Sequence, residues 1–316
     1  MAVYTRQSRC APIRVEEGIT GILTNPNSSI SYRDLPREQR IGGYLTPQQL
    51  EQLPVEAATL DSEGRCLLLE FPVFVLIGVY SPANRDDTRD DFRLSFVNAL
   101  DFRIRNLIGE GKEVFLTGDI NISREDIDAA HAEEALKKNE ITAEEFVSTP
   151  ARRIFNQLLI DGKVVGDRDE GREKPMLWDI CRGFHPGRRG MYTCWEQKVN
   201  ARPGNYGARI DYVLCSTGMK DWFYDANIQE GLMVWLLLPS KWCNSIDKRP
   251  GLGSLSSVRD DEGQDQRRGS GCRLSPPHQS TRHLRKWRAP AGTDTRRFAP
   301  TFRSPHHRIH WTEEHP

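Results

Sequence analysis

No stretch of this 316-residue chain is apolar for long enough to span a membrane. The first residues, MAVYTRQSRC, also lack the apolar core of a secretory leader. The seven cysteines (Cys10, Cys66, Cys181, Cys194, Cys215, Cys243 and Cys272) form no C-x-x-C pair and lie at no metal-finger spacing with histidine. An odd, scattered set of this kind reads as free thiols in a reducing compartment. These absences predict a soluble intracellular protein without disulfides or zinc modules. There are no internal repeats, and a hydrophobic content of 37% is low for a chain packed along its whole length.

Charge of either sign is in no overall excess, with 44 Lys/Arg against 44 Asp/Glu, but the balance hides a seam near residue 233. Residues 234–316 carry 15 Lys/Arg against 8 Asp/Glu and six of the eight histidines. Residues 1–233 carry 29 against 36. Beyond the seam Arg, Ser, Pro and Gly dominate and single apolar residues never form a period, which predicts a basic tail of low order. The expected organisation is a folded domain over 1–233 and a tail over 234–316.

Within the first part, 12–62 is a polar, turn-rich excursion with one short helix expected at Thr46–Gln52. Arg65–Phe71 (RCLLLEF) and Val73–Tyr80 (VFVLIGVY) are strand-length apolar runs divided by Pro72, and their near-continuous apolarity predicts burial on both faces. Phe92, Phe96, Leu100, Ile104 and Ile108 recur four apart and predict an amphipathic helix over 87–110. A strand over 113–118 follows, with helices at about 131–138 and 142–160, the second opening on Thr142 with Glu145 three residues later. Met191–Glu196 and Arg209–Ser216 read as strands. Strands alternating with helices predict an α/β layered domain.

Three places put polar groups where an apolar strand should end plainly. In VFLTGDINIS (114–123), Asp119 and Asn121 are two apart and would share a face of an extended strand. A carboxylate there can hold a hard cation or take a proton from water, and the amide can orient that water; G-D-x-N is equally good turn chemistry. In GVYSPAN (78–84), Tyr80 ends a strand and Asn84 follows a proline turn; the plain alternative is a core tyrosine. In GARIDYVLCS (207–216), Asp211 interrupts an apolar strand and needs a partner. That partner is either Arg209 or a histidine held in one tautomer. Between residues 181 and 209, Arg182, Arg188, Arg189, Lys198, Arg202 and Arg209 face a single acid, Glu196, and are interleaved with Phe184, Tyr192, Trp195 and Tyr206. That pattern suits phosphate and base contacts, or an ordinary solvated loop over a core tryptophan.

Taken together, GVYSPAN, FLTGDINIS, MYTCWE (191–196) and NARPGNYGARIDYVLCS (200–216), supported by DSEGRCLLLEF (61–71) and TPARRIFNQLL (149–159), resemble the exonuclease III-like branch of the endonuclease/exonuclease/phosphatase superfamily. Within it, they are similar to the second type of eukaryotic apurinic/apyrimidinic (AP) endonucleases. The resemblance runs from about Val3 to Met233. It implies a four-layer, DNase I-like α/β sandwich and metal-dependent hydrolysis of DNA phosphodiesters at abasic sites in base excision repair, with Mg²⁺ (or Mn²⁺) as cofactor. It implies that Tyr80 contacts the scissile phosphate, that Asp119 activates water or positions the metal, and that Asn121 binds the water and the phosphate. Asp211 would orient a histidine and Asn84 would support the site. It further implies abasic DNA as partner, a monomer, a nuclear location, no membrane, and a sliding clamp as a partner of full-length relatives.

The likeness has gaps. The family's T-W-N-x-N-G and Q-E-T-K motifs, the latter carrying the principal metal glutamate, are absent, as is the closing S-D-H. After Gly231-Leu232-Met233 the sequence reads VWLLLPSKW. The expectation is an incomplete catalytic domain with weak or no nuclease activity, and a tail that reflects an altered reading frame or retained intron. Sequencing the transcript across codons 225–245 checks the latter, and a message continuing into S-D-H would refute the tail as native. Two other readings stay open: a phosphatase of another superfamily branch, and a non-catalytic DNA-binding remnant.

Overall fold

Pro72 divides the apolar run 65–80 into two strands that turn back on each other, with the Phe71 N–H donating to the Phe74 carbonyl at 2.8 Å. The structure, a computed structural model, describes residues 2–6, 10–26, 28–83 and 87–229. Asn84, the tail histidines and the expected boundary at 233 lie outside the described residues. In chain order the elements are β1 (Arg14–Glu17), α1 (Pro47–Glu51), α2 (Ala57–Asp61), β2 (Cys66–Glu70), β3 (Val75–Tyr80), α3 (Asp90–Gly109), β4 (Val114–Asp119), α4 (Ala130–Lys137), α5 (Ala143–Ser148), α6 (Pro150–Leu158), β5 (Leu177–Asp179), α7 (Ile180–Phe184), β6 (Cys194–Trp195), β7 (Gly207–Ala208) and β8 (Asp211–Ser216). Among them, no helix is long and apolar enough to cross a membrane.

Six strands form one mixed sheet in the order β1-β2-β3-β4-β8-β5, and β6 and β7 form a separate two-stranded ribbon. Only β3 and β4 run parallel. A parallel neighbour requires a crossover, and α3 supplies it. Alternate residues of the sheet (Leu68, Ile77, Leu116 and Leu214, among others) share one core with Phe92, Phe96, Leu100 and Ile104 of α3 and with Phe155 of α6. The expected apolar stripe of α3 therefore faces the sheet.

The opposite side of α3 is buried too, which its sequence pattern did not announce. The excursion 12–62 folds over it. Arg103 donates to Glu16 at 2.8 Å and to the Ile19 carbonyl at 3.0 Å. Asp101 accepts from Arg105 at 2.9 Å and from Arg172 at 2.7 Å. A helix clasped on both sides can bury such charges because each has an ionic or hydrogen-bonding partner.

Other expectations shift at their edges. The single helix over 142–160 is two, because Pro150 has no N–H to donate and holds Thr149 extended (ψ 139°), so a new helix starts there. The capping box at Thr142 and Glu145 forms as expected. The strand 191–196 shrinks to β6, and β1, α2, β5 and α7 are elements that the sequence did not signal. Burial of β2 and β3 on both faces is corrected in part: the face away from α3 leaves Tyr80 exposed and Leu67 and Leu76 half-buried. Of the expected incomplete α/β sandwich, the described residues hold one large sheet with α3 and α6 on one face, while Ile180 and Phe184 of α7 pack with Trp178 and Cys215 on the other.

Candidate functional site

In sheet register, Tyr80 pairs with Asp119 and Asp119 pairs with Asp211. Directly paired residues project from the same face, on strands about 4.8 Å apart. The three side chains therefore stand in one row on the face that α3 does not cover, at the end of the sheet where β3 and β4 finish. Tyr80 is 52% exposed, Asp211 is exposed and Asp119 is half-buried. Gly118 permits this. Its φ is +131°, and a Cβ there would lie 2.0 Å from the Val79 carbonyl oxygen, so any side chain would push β4 away from β3 just before Asp119.

Asn121 reaches the row by a turn and not by strand alternation. The strand ends at Asp119, and Asn121 sits in the left-handed region at φ 54°, which asparagine tolerates. Its N–H donates to Asp119 Oδ1 at 2.8 Å. Its Nδ2 donates to the Ser81 carbonyl at 2.8 Å and to Asp119 Oδ2 at 3.2 Å. The turn and the chemical readings of G-D-x-N thus coincide: the turn holds the carboxylate. Burial pushes the Asp119 carboxyl up to about 6 even though these hydrogen bonds pull it down, and the neighbouring Asp211 charge adds to the rise. Among the described residues neither Asp119 nor Asp211 has an arginine or lysine partner.

Two neighbours were not found from the sequence. Arg65 donates to the Tyr80 carbonyl at 3.1 Å, and its guanidinium lies 5.4 Å from the Tyr80 ring centre. Its position at the start of the strand antiparallel to Tyr80 was the available signal. Thr193 Oγ1 accepts from the N–H groups of Ile210 and Asp211, both at 3.1 Å, and ties the β6–β7 ribbon to the start of β8.

The basic set divides. Arg182 and Arg209 were expected on a DNA surface, but they are 2% and 1% exposed. Arg209 donates to Asp128 at 2.8 Å and to Asp179 at 2.8 Å, and Arg182 is paired with Asp128. Arg124 joins them, 3.3 Å from Asp179. Burial alone would raise the Asp179 carboxyl, yet the Arg209 and Arg124 charges hold it below its usual value. These guanidiniums are committed to carboxylates and closed to a phosphate. Arg209 is thus no partner for Asp211, and a histidine partner for Asp211 falls outside the described residues.

The remaining members sit on or beside the ribbon. Arg202 stacks over Trp195 at 4.4 Å, Trp195 Nε1 donates to Asn205 at 3.0 Å, and Tyr206 donates to Glu134 at 2.9 Å. Lys198 and Arg189 are exposed, the latter 2.8 Å from Glu133. Arg188, half-buried, donates to Asn227 at 2.6 Å.

For a metal, the row offers Asp119, Asp211 and the Asn121 side-chain oxygen. Among the described residues no group of three or more His, Cys, Asp or Glu converges to hold an ion. A hard cation takes about six oxygens, so these donors do not fit a tightly held resident Mg²⁺.

The family model described as Endonuclease/Exonuclease/phosphatase family matches residues 24–254. The chain is 37% identical over 231 residues to the DNA-(apurinic or apyrimidinic site) endonuclease 2 of Schizosaccharomyces pombe, covering 73% of this chain and 41% of that protein. It is 39% identical over 230 residues to the Saccharomyces cerevisiae protein of the same name, covering 65% and 43%. The chain therefore spans about two fifths of the length of these relatives. The crystal structure of the Xenopus laevis APE2 catalytic domain matches with a TM-score of 0.52 at 26% identity, over 72% of this chain and 65% of that one.

Proposed function

Because the chain belongs to the endonuclease/exonuclease/phosphatase family, we propose that Tyr80, Asp119, Asn121 and Asp211 handle one phosphate of DNA beside a missing base. The reading is a repair phosphodiesterase of the AP endonuclease type. The single observation that carries it is the register: phenol, carboxylate and carboxylate stand in one cross-strand row on the open face. The names of the yeast relatives support the substrate class.

In this reading the exposed Tyr80 hydroxyl donates to a non-bridging phosphate oxygen, while the Arg65 guanidinium beside the ring is paired with Glu63 at 2.6 Å and serves to hold the ring. Asp119, with its carboxyl pushed up to about 6, is largely ionised at neutral pH and basic enough to take a proton from an attacking water. Asn121, its Nδ2 tied to Ser81, turns its side-chain oxygen to that water and fixes its direction. Asp211 keeps the row acidic and, in the resemblance, holds a histidine. The ribbon supplies DNA contacts through Lys198, through Arg202 stacked on Trp195 and through Tyr206, with Arg188 and Arg189 alongside. A divalent cation, Mg²⁺ or Mn²⁺, would neutralise charge on the phosphate, but the donor set is short for it. We therefore expect weak incision. Nuclear location, a monomeric state and a sliding-clamp partner for full-length relatives belong to the same proposal and rest on the resemblance.

The test is incision of an abasic duplex by the purified full chain in Mg²⁺, beside filter binding of the same DNA. Expected are binding, slow incision, and loss of that incision in Asp119→Asn. Incision indifferent to Asp119→Asn would contradict the site. Binding with no incision at all would move the assignment to a non-catalytic DNA-binding protein.

A further inference from the structure

Beyond Ile120 the chain leaves β4 and enters no helix or strand until after Arg124. Its four carbonyls there must find partners outside regular structure, and each accepts from a distant side chain. Arg93 Nη2 donates to the Asn121 carbonyl at 3.1 Å and the Tyr212 hydroxyl to that of Ile122 at 2.8 Å. Arg152 Nε donates to the Ser123 carbonyl at 2.6 Å and Asn156 Nδ2 to that of Arg124 at 2.9 Å. Three of these donors are also fixed by other packing. Tyr212 and Asn156 are buried, and Arg152 donates to the Phe146 carbonyl of α5 as well.

Arg93 differs from them. Among the described residues its half-buried side chain makes one hydrogen bond, the one to Asn121, and has no carboxylate at ion-pair distance. Its Nε is buried without a partner among those residues. Half-burying a charge with so little in return is unfavourable, and the bond it does make goes to the residue whose backbone is strained. Asn121, at φ 54°, holds a conformation that persists only where its surroundings over-determine it. Its N–H and Nδ2 are tied to Asp119 and Ser81, and Arg93 ties its carbonyl from the other side. A bond from a charged donor is roughly twice as strong as one between neutral groups. Topology brings the two residues together. The crossover between the parallel strands β3 and β4 starts α3 at the sheet end where Tyr80 and Asp119 finish, and Arg93 lies at the start of α3.

We propose that Arg93 is a positioning residue of the candidate site: its guanidinium holds the Asn121 carbonyl and so keeps the Asn121 amide turned to the row of Tyr80, Asp119 and Asp211. What that amide does for a phosphate rests on the phosphodiesterase reading. The hold on the turn does not.

The experiment compares the full chain with Arg93→Met, which keeps the apolar stem, and Arg93→Lys, which keeps a charged donor. Amide hydrogen exchange is read residue by residue over 119–125 and in β3 and β4. The expected result is exchange of the Asn121 N–H faster by about tenfold or more in Arg93→Met, with the strand amides unchanged. Arg93→Lys should restore the native rate to within about threefold. A second arm measures affinity for a duplex carrying a stable abasic-site analogue, in chelator. Arg93→Met should weaken binding about three- to tenfold in the native background and not at all in Asn121→Gly, where glycine accepts the turn but the amide is gone. Unchanged Asn121 exchange would overturn the proposal. Acceleration shared by the strand amides would make Arg93 a general packing residue and overturn it too. An equal loss of affinity in the Asn121→Gly background would show that Arg93 meets DNA directly, and would overturn it as well. A native chain that does not bind the duplex refutes the phosphodiesterase reading, and the exchange rates then decide the proposal alone.

Discussion

Two pairs of aspartates in this fold have opposite surroundings. Asp128 and Asp179 are buried, and Arg124, Arg182 and Arg209 surround them at ion-pair distance. Asp119 and Asp211 are direct cross-strand neighbours on the open face, with no cationic partner among the described residues. The first pair joins β5, the ribbon and the segment after β4 into one unit. The second pair places like charges side by side, and burial, with the Asp211 charge adding to it, pushes Asp119 up to about 6. Buried charge that is fully paired reads as architecture, whereas like charges left together at a strand end, held by a left-handed turn, read as a site kept for a ligand.

The largest way to break this contrast is Arg209→Met. It leaves Asp128 and Asp179 buried with fewer partners and should cost about 3–5 kcal/mol in denaturant unfolding. Asp211→Asn, on the open face, should stay within about 0.5 kcal/mol. Comparable losses in both would erase the distinction between the pairs. Next comes Gly118→Ala, which brings a methyl against the Val79 carbonyl at a φ unsuited to alanine. It should destabilise by about 2 kcal/mol or more and weaken DNA binding together with stability.

A smaller effect depends on pH. The Asp119 carboxyl rises on folding from its ordinary 3.8 to about 6, so the fold favours the protonated form. Its contribution to stability is fully present below about 4 and is lost as pH rises through about 6. Asp119→Asn should therefore be more stable than the native chain above pH 6, by about 1 kcal/mol after allowing for solvent at this half-exposed group. The two should converge toward pH 4. A constant difference across that range, measured by thermal melts without divalent cations, would count against the stated environment. The smallest effect concerns the ribbon: Lys198→Ala and Arg202→Ala should each lower the slope of log affinity against log salt by about 1.

Much of the sheet and of the row was legible in the sequence, and the reason is periodicity. The apolar runs before Tyr80 and Asp119 and the four-residue spacing in α3 each report one buried face. The polar group at each strand end stood out against them. What escaped was burial caused by distant chain. Arg182 and Arg209 looked like a basic surface because their partners, Asp128 and Asp179, come from other segments. Nothing local marked Arg103 for burial, because its partner Glu16 lies 87 residues away. Asn121 was placed by strand alternation, but a left-handed turn carries it into the site. Short elements such as β1 and β5 hold too few residues for a period to show.

The central claim is that the phenol, the carboxylates and the amide act on one phosphate. A double-mutant cycle on Tyr80→Phe and Asp119→Asn tests it, with the affinity for a duplex carrying a stable abasic-site analogue measured in chelator by fluorescence anisotropy. Convergence predicts a coupling of about 0.5 kcal/mol or more between the two substitutions. Effects that add within about 0.3 kcal/mol, on a duplex bound no better than an intact one, would contradict it.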